Sequence, residues 1–175
     1  MGRVIIIGDV HGCIEELDLL LEKLTLRSDD HICFIGDLID KGPHSVDVVR
    51  RYVQLTKEYV VTLILGNHEE KFFRYLRHVS AGTGIESQMK GIEEFPTLMT
   101  ELTHEEIEKL KEAFYTFKLE NLGIVLLHGG IFNVVQFPFP ENYPYNEKAA
   151  KQFKGLELIT KIRFLNPNDK FVGHG

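Results

Sequence analysis

Apolar positions in the first eighty residues alternate between short runs without a period and longer stretches with helical spacing. Residues 3–7 form an isoleucine-rich run, and Ile14, Leu17, Leu20, Leu21 and Leu24 then recur at helical intervals. A strand followed by an amphipathic helix is predicted there. The unit repeats, with a strand over residues 31–35 and a helix over 45–55 capped by Ser45. It repeats again, with a buried strand over 59–65 and a helix over 69–79 that carries Phe72, Phe73 and Leu76. Strands alternating with helices place the chain in the α/β layered class.

The pattern changes after that. Residues 80–96 contain glycines and no sustained period, which reads as a loop over a site or a connector. Thr103 and Glu106 have the spacing of a capping box ahead of Ile107, Leu110, Ala113 and Phe114, so a helix is predicted across them. Residues 117–120 and 124–127 read as two strands joined by a turn at 121–123. Prolines among aromatics over 132–145 suggest an irregular surface excursion, followed by a short helix over 147–153 and a short strand over 170–172.

Composition narrows the picture. A chain of 175 residues that is 43% hydrophobic can bury one substantial core, and a single domain is expected. The net charge is −6 and no face-sized run of Lys and Arg stands out, which argues against nucleic acid as a partner. Cys13 and Cys33 fit a reduced intracellular protein and lack zinc-ligand spacing. The chain enters its first strand without a signal-peptide pattern, and no stretch is apolar enough to span a bilayer. A cytoplasmic location with no membrane partner is the expectation.

Candidate chemistry sits where the apolar runs stop. The runs end in Gly8-Asp9-Val10-His11-Gly12, in Gly36-Asp37-Leu38-Ile39-Asp40-Lys41-Gly42, in Gly66-Asn67-His68-Glu69 and in His128-Gly129-Gly130. In open α/β sheets ligands bind beyond the carboxyl ends of strands, so these side chains would share one rim. Carboxylates, imidazoles and an amide oxygen without thiolates suit manganese, iron or zinc in a catalytic rather than a structural site. Taken singly, Asp9 or Asp37 would serve as a cap or turn former, Asn67 as a turn residue and His128 as a hydrogen-bonded rim histidine. Their recurrence at four strand ends is what argues for a site. His31, His44, His78 and His104 lack such surroundings and read as solvated or capping residues, and the charges of residues 105–112 as a solvated helix face.

In this order the four blocks resemble the calcineurin-like metallophosphoesterase superfamily, within it the branch of phosphoprotein phosphatases and symmetrical diadenosine-tetraphosphate hydrolases. The resemblance covers nearly the whole chain and implies a two-sheet sandwich flanked by helices. It also implies two divalent metal ions, manganese first and iron or zinc as alternatives. Asp9 and His11 would bind one, Asn67 and His128 the other, and Asp37 would bridge them. A hydroxide delivered from the pair would attack phosphorus, with His68 protonating the leaving oxygen and Asp40 orienting its imidazole. The family usually has arginine where this chain has Lys41, which keeps the charge and loses the bidentate fork. Lys41 is therefore either a phosphate ligand or a solvated loop lysine.

The carboxyl end admits two alignments. On one, Gly173-His174 is the family's late Gly-His pair, and His174 completes the second metal site. On the other, residues 159–164 and the following Asn166-Pro167-Asn168-Asp169 match a diadenosine-hydrolase segment that precedes that pair, and His174 is incidental. Arg163, within that segment, is a candidate phosphate ligand or a surface salt-bridge residue. Either way the domain is expected to be C-terminally shortened and to lack its usual closing strands. That would leave a sheet edge for an oligomeric partner to cover. The expected activity is hydrolysis of a dinucleoside polyphosphate or phosphomonoester. A serine/threonine protein phosphatase acting on phosphoproteins is the alternative, and a catalytically impaired metal-binding regulatory protein the alternative of another class. No P-loop or dinucleotide fingerprint is present.

Overall fold

The computed structural model describes residues 2–129 and 142–146. Arg163, His174, the helix predicted over 147–153 and the strand over 170–172 lie outside the described residues. Three strands, β1 (Val4–Ile7), β2 (His31–Phe34) and β3 (Val60–Leu63), pair in parallel in the order β1-β2-β3. Parallel neighbours require long crossovers, and helices α1 (Ile14–Leu24) and α2 (Ser45–Glu58) supply them, with α3 (Asn67–Ser80) following β3. The registered pairs Ile5, Ile32, Val61 and Ile7, Phe34, Leu63 belong to the main core with Leu17, Leu21, Val49, Tyr52 and Phe72 from the helices. Among the described residues β1 is paired on one side only, and Ile6 on it is 45% exposed.

The second sheet is antiparallel, in the order β5-β4-β6, with β4 (Phe114–Leu119) between β5 (Ile124–Leu126) and β6 (Tyr143–Pro144). The Leu65 amide donates to the Phe114 carbonyl at 2.7 Å, and Ile64 bridges Phe114 in parallel, so β4 starts against the end of β3. Cys33 and Ile64 from the first sheet pack with Leu119 and Leu126 from the second. The α/β two-sheet fold expected from the resemblance is thus present.

Several local expectations are corrected. Phe114 is not on the predicted helix: α5 (His104–Lys111) ends before it, and sheet pairing with Ile64 and Leu65 draws it into β4. Ser45 does not cap α2; His44 holds that position, and the Ser45 hydroxyl instead accepts from the Asp40 amide at 3.0 Å. Tyr143–Pro144, inside the predicted irregular excursion, forms the edge strand β6, where proline's missing N–H is tolerated. The connector over 81–94 includes a 3-10 turn at Ile85–Gln88 and leads into α4 (Phe95–Glu101), whose Phe95 ring packs on Phe72 and Tyr75. The Thr103–Glu106 capping box forms in both directions, at 3.2 and 2.8 Å. No helix among the described residues is long and apolar enough to cross a membrane.

Arg3 fastens the start of β1 to the turn before β2. Its guanidinium donates to both Asp30 oxygens, at 3.0 and 2.6 Å, and to the carbonyls of Leu24 and Thr25. Arg3 holds the buried Asp30 carboxyl well below the ordinary carboxylate range, against the opposing pull of burial. A depressed carboxyl stabilises the fold above its unfolded pKa, near 3.8, and that contribution fades as pH falls toward the folded value. Asp30→Asn is therefore expected to lower Tm at pH 7, with the gap to the parent chain closing below about pH 4. Calorimetric scans of both proteins across acidic pH check this.

Candidate metal centre

The loops that follow β1, β2 and β3 meet at one place because backbone and side-chain hydrogen bonds lock them together. The Asp37 carbonyl accepts from the amides of Val10 and His11 at 3.0 and 2.8 Å, and the Leu38 carbonyl accepts from Gly12 at 2.8 Å. The Glu69 carboxylate, fully buried on the first turn of α3, joins the other two loops. One oxygen accepts from Leu38 and Ile39, at 2.7 and 3.3 Å, and the other from Asp37 and Gly66, at 2.9 and 3.1 Å. Gly66 is obligatory here, since a Cβ would come 2.2 Å from the Asp37 nitrogen and 2.5 Å from the Glu69 carboxylate.

Asp37 is the centre of the resulting cluster. It is fully buried, its Oδ1 accepts from the His68 amide at 3.1 Å, and its Oδ2 faces three imidazoles. The Nε2 atoms of His128, His11 and His68 lie 3.4, 3.5 and 3.8 Å from it. Asp9 Oδ2 stands 3.7 Å from His11 Nε2, and Asn67 Oδ1 is 3.4 Å from His128 Nε2. Two overlapping groups have donor atoms within 4.8 Å of one another: His11, Asp37 and His68, and Asp9, Asp37 and His128. The structure thus brings together Asp9, His11, Asp37, Asn67, His68 and His128. Asp40 joins them through Oδ2, 2.7 Å from His68 Nδ1.

This donor set fits divalent cations. His11 Nδ1 bonds the Ile39 carbonyl at 3.1 Å and His128 Nδ1 bonds the Ile35 carbonyl. Only a protonated nitrogen can pair with a carbonyl, so in the neutral ring the proton sits on Nδ1 and Nε2, on the Asp37 side, is the nitrogen left for a metal, the arrangement that orients histidine ligands. Three carboxylates, Asp9, Asp37 and Asp40, crowd the same space, and the ammonium of Lys41, 2.8 Å from His11 Nε2, is a cation at that spot. Burial pushes the Asp37 carboxyl up, but hydrogen bonding and attraction from His128 and His68 outweigh it and leave the pKa lowered. Burial likewise pulls His128 down, and Asp37, the Ile35 carbonyl and Asp9 more than reverse it. For His68 burial prevails over Asp37 and Asp40, and its pKa is lowered.

Backbone strain collects in the same loops. Among the described residues the non-glycine positions with positive φ are His11, Thr25, Asp37, Asp40 and Lys41, and all but Thr25 are in the cluster. Each such conformation costs on the order of 1–3 kcal/mol and persists only where its surroundings over-determine it, a pattern typical of functional sites. Glu69 and Ser45 are the contributors that sequence reasoning left without a site role. An acidic residue three positions into a helix was the available signal for Glu69; nothing in the sequence points to the inward turn of Ser45.

Parallel strands that end in this donor set, backed by a second sheet, are the architecture of the metallophosphoesterases. The family profile of the calcineurin-like phosphoesterases matches residues 2–174, and the chain belongs to that family. Similar curated proteins are named asymmetrical bis(5'-nucleosyl)-tetraphosphatases. That of Oceanobacillus iheyensis is 33% identical over 144 residues, covering 74% of this chain and 56% of the relative. That of Halalkalibacterium halodurans is 36% identical over 143 residues, covering 72% and 56%. The chain therefore spans little more than half the length of these relatives. A crystal structure provisionally named as a diadenosine tetraphosphatase superposes with TM-score 0.62 at 26% identity, over 81% of this chain and 55% of the other. A Saccharomyces cerevisiae serine/threonine phosphatase superposes with TM-score 0.55 at 14% identity, over 93% and 48%, a likeness of fold alone.

Glu69→Gln is expected to destabilise the fold by about 2–4 kcal/mol, because either carboxylate oxygen replaced by NH2 leaves two backbone N–H groups without an acceptor. A urea titration should show a lower midpoint at unchanged slope.

Proposed function

We propose that this chain is a metal-dependent phosphoesterase whose substrate is a dinucleoside polyphosphate. The observation that carries the reading is the convergence of His11, His68 and His128 on the buried Asp37, with Asp9 and Asn67 beside them. The names of the relatives support the substrate class. In this reading Asp9 and His11 would hold one divalent cation and Asn67 and His128 the other, with Asp37 shared between them and manganese the first choice of ion. When bound, such ions would lower the pKa of an attacking water and offset the charge of the phosphate oxygens.

The chain's own side chains supply the rest. His68 Nδ1 is committed to Asp40 at 2.7 Å, which leaves Nε2 to carry the proton for the departing oxygen. As the new P–O bond forms and the ester or anhydride P–O bond breaks, the leaving oxygen takes the His68 proton. The lowered pKa of His68 makes its imidazolium a readier donor. Asp40 steadies that imidazolium by charge, and Lys41 provides a positive rim for phosphate. Arg163 as a second phosphate ligand and His174 as a further metal ligand belong to the same proposal and lie outside the described residues.

The test is manganese-dependent hydrolysis of diadenosine tetraphosphate, a phosphoserine peptide and p-nitrophenyl phosphate by the whole chain. The dinucleotide should be turned over in preference to the peptide, and Asp37→Asn should abolish turnover of all three. His68→Ala should cost about 10²–10⁴-fold on the dinucleotide and much less on p-nitrophenyl phosphate, whose leaving group needs no proton. Products ATP and AMP would mark asymmetrical cleavage, as in the relatives' names, and two ADP the symmetrical cleavage of the resembled branch. Preference for the peptide would instead favour a protein phosphatase, and stoichiometric manganese without turnover a binding protein.

A further inference from the structure

Asp40 is held in a demanding conformation by few contacts. Its φ is +71°, its Oδ1 accepts from the Lys41 amide at 2.9 Å, and its Oδ2 binds His68 at 2.7 Å. Its amide N–H has turned inward to Ser45 Oγ at 3.0 Å. Ser45 opens α2 and is 1% exposed, so no solvent takes up its hydroxyl proton. A hydroxyl that already accepts from an amide still carries one proton to donate, and buried donors require partners. Glu94, at the end of the connector between α3 and α4, brings its half-buried carboxylate against the Ser45 hydroxyl and the backbone of Asp40 and Ser45. Burial draws the Glu94 carboxyl above its ordinary value and the Ser45 hydroxyl draws it back, while the Asp40 charge raises it further. Its Oε2 is buried without a hydrogen-bond partner. A desolvated carboxylate near a second carboxylate is a costly placement, and it is explicable if the position serves the neighbouring hydroxyl.

We propose that Ser45 is a positioning residue for the Asp40–His68 pair, and that Glu94 fixes the Ser45 hydroxyl so that the connector is tied to the proton donor. The proposal deepens the phosphoesterase reading and rests on it for the role of His68. Without the Ser45 oxygen, the Asp40 amide loses its 3.0 Å acceptor, the left-handed turn relaxes, and the carboxylate no longer holds the imidazole in one orientation. Glu94 acts one step further out, by choosing the direction of the Ser45 O–H bond.

The test uses the whole chain with manganese and four variants: Ser45→Ala, Ser45→Thr, Glu94→Ala and Glu94→Gln. The first readout is the His68 Nδ1 proton resonance in ¹⁵N-histidine-labelled protein loaded with diamagnetic zinc in place of paramagnetic manganese, which does not depend on turnover. It should be sharp in the parent chain, in Ser45→Thr and in Glu94→Gln, and should broaden or vanish in Ser45→Ala and Glu94→Ala. The second readout is the ratio of kcat on diadenosine tetraphosphate to kcat on p-nitrophenyl phosphate. For Ser45→Ala the dinucleotide kcat should fall about 10- to 100-fold at unchanged KM, with a much smaller fall on p-nitrophenyl phosphate. A Ser45→Ala protein with an unchanged resonance and an unchanged ratio overturns the proposal. If that variant does not fold, Glu94→Ala decides, and an unaltered resonance there sinks the link. If the resonance responds while the parent chain hydrolyses no phosphate ester, the positioning role stands and the phosphoesterase reading fails.

Discussion

A single buried carboxylate organises the site. Glu69 accepts from four backbone amides drawn from two loops, so the turn after β2 and the turn after β3 cannot move independently. Burial and the charge of Asp37 push its pKa up to about 7, and the amides of Asp37, Leu38 and Ile39 pull against them. The balance describes a carboxylate kept where solvation alone would not keep it. Everything chemically interesting hangs from those two turns: Asp37, Asp40 and Lys41 from one, Asn67 and His68 from the other. The turn after β1 adds Asp9 and His11 by stacking its amides on the carbonyls of Asp37 and Leu38.

The strained conformations of His11, Asp37, Asp40 and Lys41 follow from the same construction. Short strands leave few residues in which to reverse direction and aim a side chain, and left-handed backbone does both at once. Gly36 and Gly66 permit the approach. A Cβ on Gly36 would stand 2.6 Å from the Gly66 backbone and 2.9 Å from His128 Nδ1. The precision of the cluster is therefore a property of the backbone, and the side chains inherit it.

What was legible in the sequence was the part governed by local rules. Short apolar runs marked β1, β2 and β3, helical spacing marked α1, α2 and α3, and the Thr103–Glu106 box marked α5. The site blocks were legible because strand ends recur in sequence as well as in space. What escaped depends on partners outside the local pattern. Phe114 looks helical beside Leu110 and Ala113 until the Leu65 amide claims its carbonyl. Ser45 looks like a cap until the Asp40 amide reaches its hydroxyl, and Glu69 looks like an ordinary first-turn acid until four amides converge on it. For Phe114 and Glu69 the deciding hydrogen bonds span 30 or more positions, and for Ser45 a bond from the loop five positions earlier displaces the cap.

His128 differs from its neighbours in origin. Six of the gathered side chains come from the first sheet and its loops, all before residue 70, whereas His128 follows β5 and reaches Ile35 across 93 positions of chain. The first sheet can preform most of the cavity from contacts close in sequence, and the last imidazole arrives only when the second sheet docks. An ion that prefers the complete set binds the docked arrangement and not the undocked one. Its affinity is then a gauge of how firmly the two halves of the sandwich are joined, and loosening the Cys33, Ile64, Leu119 and Leu126 layer would register as weaker metal binding before any ligand is touched.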